Sequence, residues 1–326
     1  MVDFPVGGSA AYMQVGKEAT YAAVATTNVA FGHNQKVTVD RNINSTPVYG
    51  LGSPYASANF AGLFEGKLTI TFDLASTYWL ELAMGTCTDV DDGSFGYSHT
   101  YADNTGYVAT SFSLENGINL DTDALFKYLG CVVDTFEMVS RIGEATHVTV
   151  NAPYANETLA TTGLDTTPAS DAEDLLIFSE GSVQLPSGTT LARVQSITLR
   201  GIKNAQLIPG LGSRIPSKAI WKTMIFEFDM ELSFENDDMV VALYGQATGP
   251  LTATNPAAQA SLILTWSNGA ATTSRRSLTM TFGSTHIGSD SLPQAVEEHL
   301  VQSVKGYCIG APTSIIGIDN TAANPL

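Results

Sequence analysis

The feature that most constrains the fold of this chain is an internal repeat. Residues 36–85 align without a gap to residues 196–245, at a constant spacing of 160 residues. Only eight positions are identical in the two segments: Thr38/Thr198, Asn44/Asn204, Gly50-Leu51-Gly52-Ser53 against Gly210-Leu211-Gly212-Ser213, Ser57/Ser217 and Gly85/Gly245. Identity this low does not establish a repeat, so the physical pattern has to decide.

The apolar pattern of the two segments agrees position by position. Leu68, Ile70, Phe72 and Leu74 align with Phe228, Met230, Leu232 and Phe234. Alternation of apolar and polar residues is typical of a half-buried β-strand. Both segments then change to helical spacing and end at a glycine, Gly85 or Gly245, which is a common helix stop. Each copy therefore predicts a strand, a long loop containing GLGS, a longer strand and a short one-sided helix.

The repeat predicts two tandem domains. A chain of 326 residues is long enough for two units of ordinary size. We place the first domain, with an N-terminal arm, at residues 1–160 and the second at 161–326. The arm, residues 1–35, has little periodicity, which fits either a segment that orders against a neighbouring subunit or a frayed terminus.

A family resemblance comes from the order of several short motifs. These are residues 16–21 (GKEATY), the Asn-, Gly- and Pro-rich loop 42–53, the long strand and helix, residues 111–116 (SFSLEN) and residues 130–136 (GCVVDTF). In this order they resemble the tail tube proteins of tailed bacteriophages and their archaeal-virus relatives. The resemblance covers most of the first copy and, more weakly, the second.

The resemblance implies a mostly β chain built of two tandem β-sandwich or half-barrel tube domains, each flanked by a short α-helix. Such proteins form rings that stack into a hollow tail tube, and three chains with two domains each would give a homotrimer with a pseudo-six-fold outline. The expected partners are further copies of the chain, other tail proteins such as the tape measure, tail terminator and distal tail proteins, and viral DNA passing through the lumen without specific binding. The expected location is the virion tail, after synthesis in the host cytoplasm.

The resemblance also assigns roles to two sets of residues. The long loops would contact the adjacent ring through Gly50, Leu51, Gly52 and Ser53 and through Gly210, Leu211, Gly212 and Ser213. The polar faces of the long strands would line the lumen, with Lys67, Thr69, Thr71 and Asp73 in the first copy and Glu227, Asp229, Glu231 and Ser233 in the second. In that position Glu227, Asp229 and Glu231 would give the lumen a negative potential.

Charge and hydropathy agree with a structural role. A net charge of −17 argues against a surface that grips phosphates, which needs clustered Lys and Arg. The same charge fits an acidic wall past which DNA slides, and it equally fits simple solubility. The sequence contains no apolar stretch long enough for a membrane helix and no signal-peptide pattern, so we expect no membrane partner. Three widely spaced cysteines suit a reducing cytoplasm better than a disulfide framework.

Motifs for catalysis are missing, so we predict that the protein is not an enzyme and has no cofactor, metal or catalytic residue. The five histidines, His33, His99, His147, His286 and His299, form no ligand pair by spacing, and we interpret each as an ordinary strand or loop residue. Residues 89–93 (DVDDG) fail the EF-hand template and favour a polar turn.

One alternative from another functional class stays open. A β-sandwich adhesin or carbohydrate-binding module of a virion or cell surface would have a similar strand pattern. A cluster of exposed aromatic residues on one face, or a true calcium loop, would favour that alternative.

Overall fold

The protein is a mostly β chain with two short helices among its described residues, as predicted. The computed structural model describes residues 11–30, 32–52, 54–91, 93, 96–104, 108–118, 124–160, 174–185, 188–244, 246, 248–250, 261–270, 275–292, 300–320 and 326.

The elements of the N-terminal half (residues 1–160) are, in chain order, β1 (Ala11–Lys17), β2 (His33–Asn42), β3 (Ser45–Tyr49), β4 (Ala56–Ala61), β5 (Glu65–Asp73), α1 (Trp79–Met84), β6 (Gly85–Asp91), β7 (Tyr97–Asp103), β8 (Ser111–Ile118), β9 (Ala124–Val132), β10 (Thr135–Arg141), β11 (His147–Tyr154) and β12 (Asn156–Ala160). The C-terminal half (residues 161–326) contains a 3₁₀ turn (Phe178–Glu180), β13 (Gly181–Gln184), β14 (Val194–Ile202), β15 (Ala205–Pro209), β16 (Pro216–Trp221), β17 (Ile225–Ser233), α2 (Asp238–Tyr244), β18 (Leu262–Ser267), β19 (Ser277–Phe282), β20 (Thr285–Ser291), β21 (Val301–Cys308) and β22 (Pro312–Asp319).

Elements of the two halves correspond closely. Strands β15, β16 and β17 begin and end 160 residues after β3, β4 and β5, and β14 overlaps β2 at the same spacing. In each half a hairpin (β3–β4 or β15–β16) is followed by a long strand and a short helix. The division into two domains stays a prediction, since two of the sheets contain strands from both halves.

Several identical residues of the repeat determine the backbone conformation of the two hairpins. Asn44 and Asn204 both have a positive φ, 49° and 51°, in a region that favours Asn and Gly among the natural residues. Their side-chain Nδ2 groups donate to equivalent carbonyl oxygens, those of Leu63 and Thr223, each at 3.2 Å. The second glycine of each GLGS turn, Gly52 or Gly212, is also left-handed. The identities therefore maintain turn geometry in both hairpins.

The largest sheet crosses both halves of the chain. Among the described residues it has eight antiparallel strands in the order β2-β5-β11-β10-β14-β17-β21-β20, and we call it the main sheet. Its first four strands belong to the N-terminal half and its last four to the C-terminal half. The two groups have the same internal order and join where β10 pairs with β14.

A second layer covers one face of the main sheet. It consists of the sheet β1-β8-β9-β12 and the sheet β13-β18-β19-β22-β7-β6, so that β6 and β7 of the N-terminal half extend a sheet of the C-terminal half. The buried side chains between the layers form a continuous apolar core. Its centre is a line of aromatic rings in successive contact, with centroids 5.2–6.2 Å apart: Phe72, Trp79, Phe136, Phe226 and Phe282.

Three local expectations change or remain open. The N-terminal arm is not merely a loose segment, because β1 pairs with β8 of the same chain and buries Met13 and Val15. Residues 89–91 lie in β6 and not in a turn. Gly85 ends α1 with a φ of 117°, as expected for a helix stop, whereas Gly245 lies outside the described residues.

Asn204 offers a test of the backbone role of the retained asparagines. We expect Asn204→Ala to reduce the free energy of unfolding by about 1–2 kcal/mol more than Asn204→Gly does, because only alanine carries a Cβ into the left-handed region. Both variants lose the side-chain hydrogen bond, so the difference between them isolates the backbone effect. Urea unfolding of the unassembled chain measures it, and equal stabilities of the two variants would contradict this explanation.

Candidate assembly surface

The residues predicted to line a lumen lie together on the face of the main sheet that points away from the core, which we call the polar face. On β5 and β17 each of them alternates with a buried apolar residue, as the sequence pattern predicts. The eight are Lys67, Thr69, Thr71, Asp73, Glu227, Asp229, Glu231 and Ser233. Their position on this face does not by itself test the lumen assignment, which stays a prediction.

Two ionic pairs across neighbouring strands neutralise part of the charge on the polar face. Lys305 lies 2.8 Å from Asp229. His147 and Asp73 share a hydrogen bond of 3.0 Å between Nδ1 and Oδ1. Arg200 pairs with Glu137 across the β10–β14 contact, and this hydrogen bond raises the pKa of the arginine. The strand registers place seven acidic and five basic described residues on this face: Asp40, Glu65, Asp73, Glu137, Glu227, Asp229 and Glu231, with Lys36, Lys67, Arg141, Arg200 and Lys305. The face is therefore slightly acidic and partly self-compensated.

The contact between β10 and β14, which we call the inner junction, shows how one half of the chain joins the other. Seven consecutive residue pairs connect the strands, from Thr135 opposite Ile202 to Arg141 opposite Ser196. Phe136 lies over Gly201, where an added Cβ would come within 2.2 Å of the ring. On the core side, Ile197 and Leu199 of β14 are buried. The inner junction is thus a closed, well-packed sheet seam.

The two outermost strands of the main sheet, β2 and β20, each lack a second neighbour within the described part of the chain. Val37 and Val39 of β2 occupy the positions of Ile197 and Leu199, yet they are only half-buried. Ile43, the counterpart of the buried Lys203, is 53% exposed. Strand β2 is thus the counterpart of β14, but its outer edge is exposed where that of β14 is covered by β10.

The hairpin β15–β16, the second hairpin, packs against the N-terminal half. Trp221 is buried with Ala219, Ala109 and Val132, and its Nε1 donates to the carbonyl oxygen of Val133 at 2.9 Å. The second hairpin therefore forms a contact between the two halves that is separate from the main sheet.

Lys203 lies beneath the second hairpin and is fully buried. Its Nζ donates to Asp103 at 3.2 Å and lies 4.6 Å from the ring centre of Trp221. Burial lowers the pKa of Lys203 to about 8, although the neighbouring Asp103 acts in the opposite direction. The contact of Lys203 with both partners adds a polar link between the halves.

The hairpin β3–β4, the first hairpin, has the same bounds in the repeat but a different environment. Its large apolar side chains are exposed, and Phe60, the counterpart of Ile220, is 64% exposed. The others are Val48, Tyr49 and Tyr55. Ile220 is itself half-buried and lies on the opposite side of β16 from the buried Ala219 and Trp221, whose counterparts in the first hairpin are Asn59 and Ala61. The first hairpin therefore lacks the packed apolar contact that the second hairpin makes with the N-terminal half.

The tips of both hairpins carry an exposed leucine. Leu51 and Leu211 have exposed fractions of 109% and 110%, and they lie between the glycines Gly50 and Gly52 or Gly210 and Gly212. Ser213 stabilises its tip through hydrogen bonds with Ile215, whereas Ser53 lies outside the described residues. The role of these eight residues in ring stacking stays a prediction.

Sequence patterns had suggested the tips and the polar face but not the open edge or the exposed side of the first hairpin. A signal for both existed in the alignment, because Val37, Val39 and Phe60 are apolar at the positions of Ile197, Leu199 and Ile220. What could not be seen was how unequally the two copies are covered: Ile197 and Leu199 are buried whereas Val37 and Val39 are half-buried, and Ile220 is half-buried whereas Phe60 is exposed.

Histidine 99 is not the isolated strand residue that the sequence suggested. Its fully buried ring lies between two carboxylates, with Nδ1 2.8 Å from Asp89 and Nε2 3.1 Å from Asp319. Burial alone would lower the pKa of His99, but hydrogen bonds with Asp319, Cys87 and Asp89 outweigh it and raise the pKa to about 10. The other described histidines, His33, His147 and His286, lie on strands of the main sheet, and His299 lies outside the described residues.

Comparison with known proteins identifies a family. A family model described as phage tail tube protein matches residues 8–305, which is most of the chain. A search of curated proteins found no match. Within the described part of the chain, neither helix is long and apolar enough to cross a membrane.

The unequal environments of the two hairpins predict unequal effects of mutation. Trp221→Ala should lower the free energy of unfolding of the unassembled chain by about 3–5 kcal/mol, because a buried aromatic side chain leaves a cavity. Phe60→Ala, in the exposed hairpin, should change it by no more than about 0.5 kcal/mol. Urea unfolding at low protein concentration distinguishes the two, and a large loss in Phe60→Ala would show that the first hairpin is already packed within one chain.

Proposed function

The chain belongs to the phage tail tube protein family, and we propose that three copies close into a ring and that such rings stack into the hollow tube that delivers viral DNA. As a member of this family the protein is a structural component of the virion tail that associates with itself and with other tail components. The inner junction supports ring closure most directly, because it shows within one chain the kind of contact that would join one chain to the next.

Ring closure repeats the inner junction between chains. The four strands on each side of that junction have the same order, so β20 of one chain occupies the place of β10 and β2 of the next chain occupies the place of β14. Pairing β20 with β2 covers both open edges of the main sheet. It also buries Val37 and Val39 as Ile197 and Leu199 are buried. Closed sheets avoid the uncontrolled pairing to which exposed edges are prone.

The register of this contact follows from the strands that flank it. The β21–β20 and β11–β10 pairings place Ser289, Asp290 and Ser291 where Thr135, Phe136 and Glu137 lie. Transferring the inner junction then sets them opposite Asn42, Arg41 and Asp40 of the neighbouring chain.

The central pair of that register is complementary in charge. Where the inner junction sets Phe136 over Gly201, the contact between chains sets Asp290 opposite Arg41. Within the described residues the buried Oδ1 of Asp290 has no hydrogen-bond partner. Arg41 already donates to both carboxylate oxygens of Glu157 in its own chain, each at 2.6 Å. At the contact between chains its remaining nitrogen, Nη1, would supply the partner of Asp290, so that Arg41 bridges the two carboxylates. Replacing an aromatic–glycine pair with an ionic pair would distinguish the contact between chains from the contact within a chain.

The first hairpin supports the same arrangement. Because the second hairpin covers the N-terminal half of its own chain, the repeat predicts that the first hairpin covers the C-terminal half of the neighbouring chain. Asn59 and Ala61, the counterparts of Ala219 and Trp221, would then face that contact, and Phe60 would become half-buried like Ile220. Each chain would hold its neighbour through a sheet edge and a hairpin.

The width of the tube favours three chains. Three copies of the main sheet contribute 24 strands, and two copies contribute 16. At a strand spacing of about 4.8 Å these close into barrels with backbone diameters of roughly 37 and 24 Å before strand tilt is added. Side chains remove about 5 Å at each wall, leaving a bore of roughly 27 or 14 Å. A strand tilt of about 40° widens these bores to roughly 38 and 22 Å. Three chains therefore leave clear room around a DNA duplex, whereas two chains leave almost none.

The polar face would line this bore. Two of its five basic residues, Arg200 and Lys305, are paired with acids on adjacent strands, Lys67 lies opposite Asp40, and acids are in slight excess. DNA binding depends on unpaired Lys and Arg that displace counterions from the phosphates. A slightly acidic, partly self-compensated wall would let DNA pass without holding it. Under this proposal residues 1–160 and 161–326 are the two tube domains of each chain, and Lys67, Thr69, Thr71, Asp73, Glu227, Asp229, Glu231 and Ser233 lie in the lumen.

Stacking of the rings would use the hairpin tips. Leu51 and Leu211 project at equivalent places, so a ring of three chains would present six leucines to the adjacent ring. Tape measure, tail terminator and distal tail proteins would meet the ends of the tube through the same surfaces.

A disulfide between chains tests ring closure. We expect Asn42→Cys combined with Ser289→Cys to form covalent trimers when assembled protein is oxidised. Directly opposed residues of antiparallel strands have Cα atoms about 4.5–5.5 Å apart, which suits a disulfide. Within one chain the two positions lie on opposite edges of the main sheet and cannot meet. Denaturing gels without reductant give the measurement.

The matched control is Thr38→Cys with Ser289→Cys. Thr38 lies on the same face of β2 but about 13 Å farther along the strand, so it should not be cross-linked efficiently. Equal cross-linking of both pairs, or assembled tubes in which the Asn42 pair stays monomeric, would contradict the proposed register.

Tip leucines can be tested separately from ring closure. The double variant Leu51→Ser with Leu211→Ser should still form rings but give much shorter tubes, because each buried leucine contributes about 1.5–3 kcal/mol. Tube lengths in electron micrographs are the readout. Leu159→Ser, at an exposed leucine of β12, is the control and should leave tube length unchanged. Wild-type tube lengths in the double variant would remove the tips from the stacking contact.

A further inference from the structure

Three potential metal ligands converge at the edge of the second layer. Cys87 and Asp89 lie two residues apart on β6, so their side chains share one face of the strand. His99 lies directly opposite Asp89 on β7. The sulfur of Cys87, a carboxylate oxygen of Asp89 and a ring nitrogen of His99 all lie within 4.8 Å of one another. Strand pairing alone therefore brings a thiol, a carboxylate and an imidazole together.

The distances suit a small divalent cation. Sγ of Cys87 lies 3.2 Å from Oδ1 of Asp89, and that oxygen lies 2.8 Å from Nδ1 of His99. Donor atoms on a tetrahedral zinc ion are roughly 3.5 Å apart, given metal–ligand bonds of about 2.0–2.3 Å. Small rotations of the Cys87 and Asp89 side chains, which lie toward the protein surface, would open that space, while the buried imidazole stays fixed.

Asp319 holds the imidazole in the orientation that a metal site needs. It comes from β22, is itself nearly buried, and its Oδ1 lies 3.1 Å from Nε2 of His99. A carboxylate on the far nitrogen fixes the ring and leaves the near nitrogen for the metal, which is the usual arrangement around metal-bound histidines. The ring of Tyr78 packs edge-on against the same imidazole.

We propose that Cys87, Asp89 and His99 bind a zinc-type divalent cation through Sγ, the carboxylate and Nδ1, with Asp319 orienting His99. One sulfur, one nitrogen and one oxygen donor suit zinc, whereas calcium and magnesium prefer oxygen alone. Binding releases the thiol proton of Cys87 and the proton on Nδ1 of His99 to solvent, and water completes the coordination.

The bound ion would hold three strands together at one edge of the second layer. Strand β6 is the outermost strand of its sheet, β7 lies next to it, and β22 belongs to the C-terminal half. The ion would thereby link the two halves of the chain, with ligands from β6 and β7 and a supporting carboxylate from β22. This link would lie in the second layer, whereas the inner junction lies in the main sheet. This site neither requires nor excludes ring formation.

Cobalt provides a direct probe of the site. The full-length chain is stripped with a chelator and titrated with Co²⁺ alone, and a thiolate-to-cobalt charge-transfer absorption is recorded. We expect one Co²⁺ per chain with this absorption, and its loss when Zn²⁺ is added. Cys87→Ser should abolish the absorption, and Asp319→Asn should weaken Co²⁺ binding about 10–100-fold. Cys308→Ser, at a buried cysteine of β21, should change neither.

Circular dichroism of each stripped variant verifies that it is folded, and Asp89→Asn, which should also weaken binding, replaces Cys87→Ser if that variant does not fold. Absence of the thiolate absorption in the wild-type chain would overturn the proposal. So would its persistence in folded Cys87→Ser protein, or an equal loss in Cys308→Ser.

Discussion

The structure depends on the antiparallel pairing of β10 with β14. This single contact converts two four-stranded groups into one eight-stranded sheet, and it aligns the apolar face of each group over a common core. The line of aromatic rings crosses it, since Phe136 comes from β10 and contacts Phe226 of β17. Aromatic pairs of this kind add stabilisation beyond the area they bury. Both hydrogen bonding and packing therefore oppose separation of the halves.

When two copies of a repeat pair in this way, the two outer edges of the combined sheet correspond to the two strands of the inner junction. Within the described part of the chain, the strand order that places β10 beside β14 also leaves β20 and β2 with one neighbour each, and the first hairpin lacks the buried contact that the second hairpin makes. Differences at equivalent positions separate the two contacts: glycine 201 accommodates an aromatic ring, whereas Arg41 would meet a carboxylate. Under the proposed ring closure the chain would combine a completed contact with two complementary halves of a second one.

Much of the main sheet could be predicted from sequence because its signals are local. Alternation in β5 and β17 identified the buried and polar faces. The long loops predicted around GLGS are instead the hairpins β3–β4 and β15–β16, which were missed because their short strands lack a clear apolar alternation. Other features depend on partners distant in sequence. No local pattern indicates that residues 11–17 pair with β8. The cluster around His99 was missed because Asp89 meets it through strand pairing and Asp319 through the fold of the other half. The open edge was missed because coverage is a property of tertiary structure.

Electron microscopy of the purified, concentrated chain tests the central claim most directly. End-on views, averaged without imposed symmetry, should show closed rings of three chains with six similar lobes around a bore wide enough for duplex DNA. Two lobes per chain would correspond to the two halves. Around the ring, neighbouring lobes would be joined in turn by the inner junction within a chain and by the pairing of β20 with β2 between chains. Rings with another number of chains, or particles that stay dispersed even when mixed with other tail components, would contradict closure through these two edges.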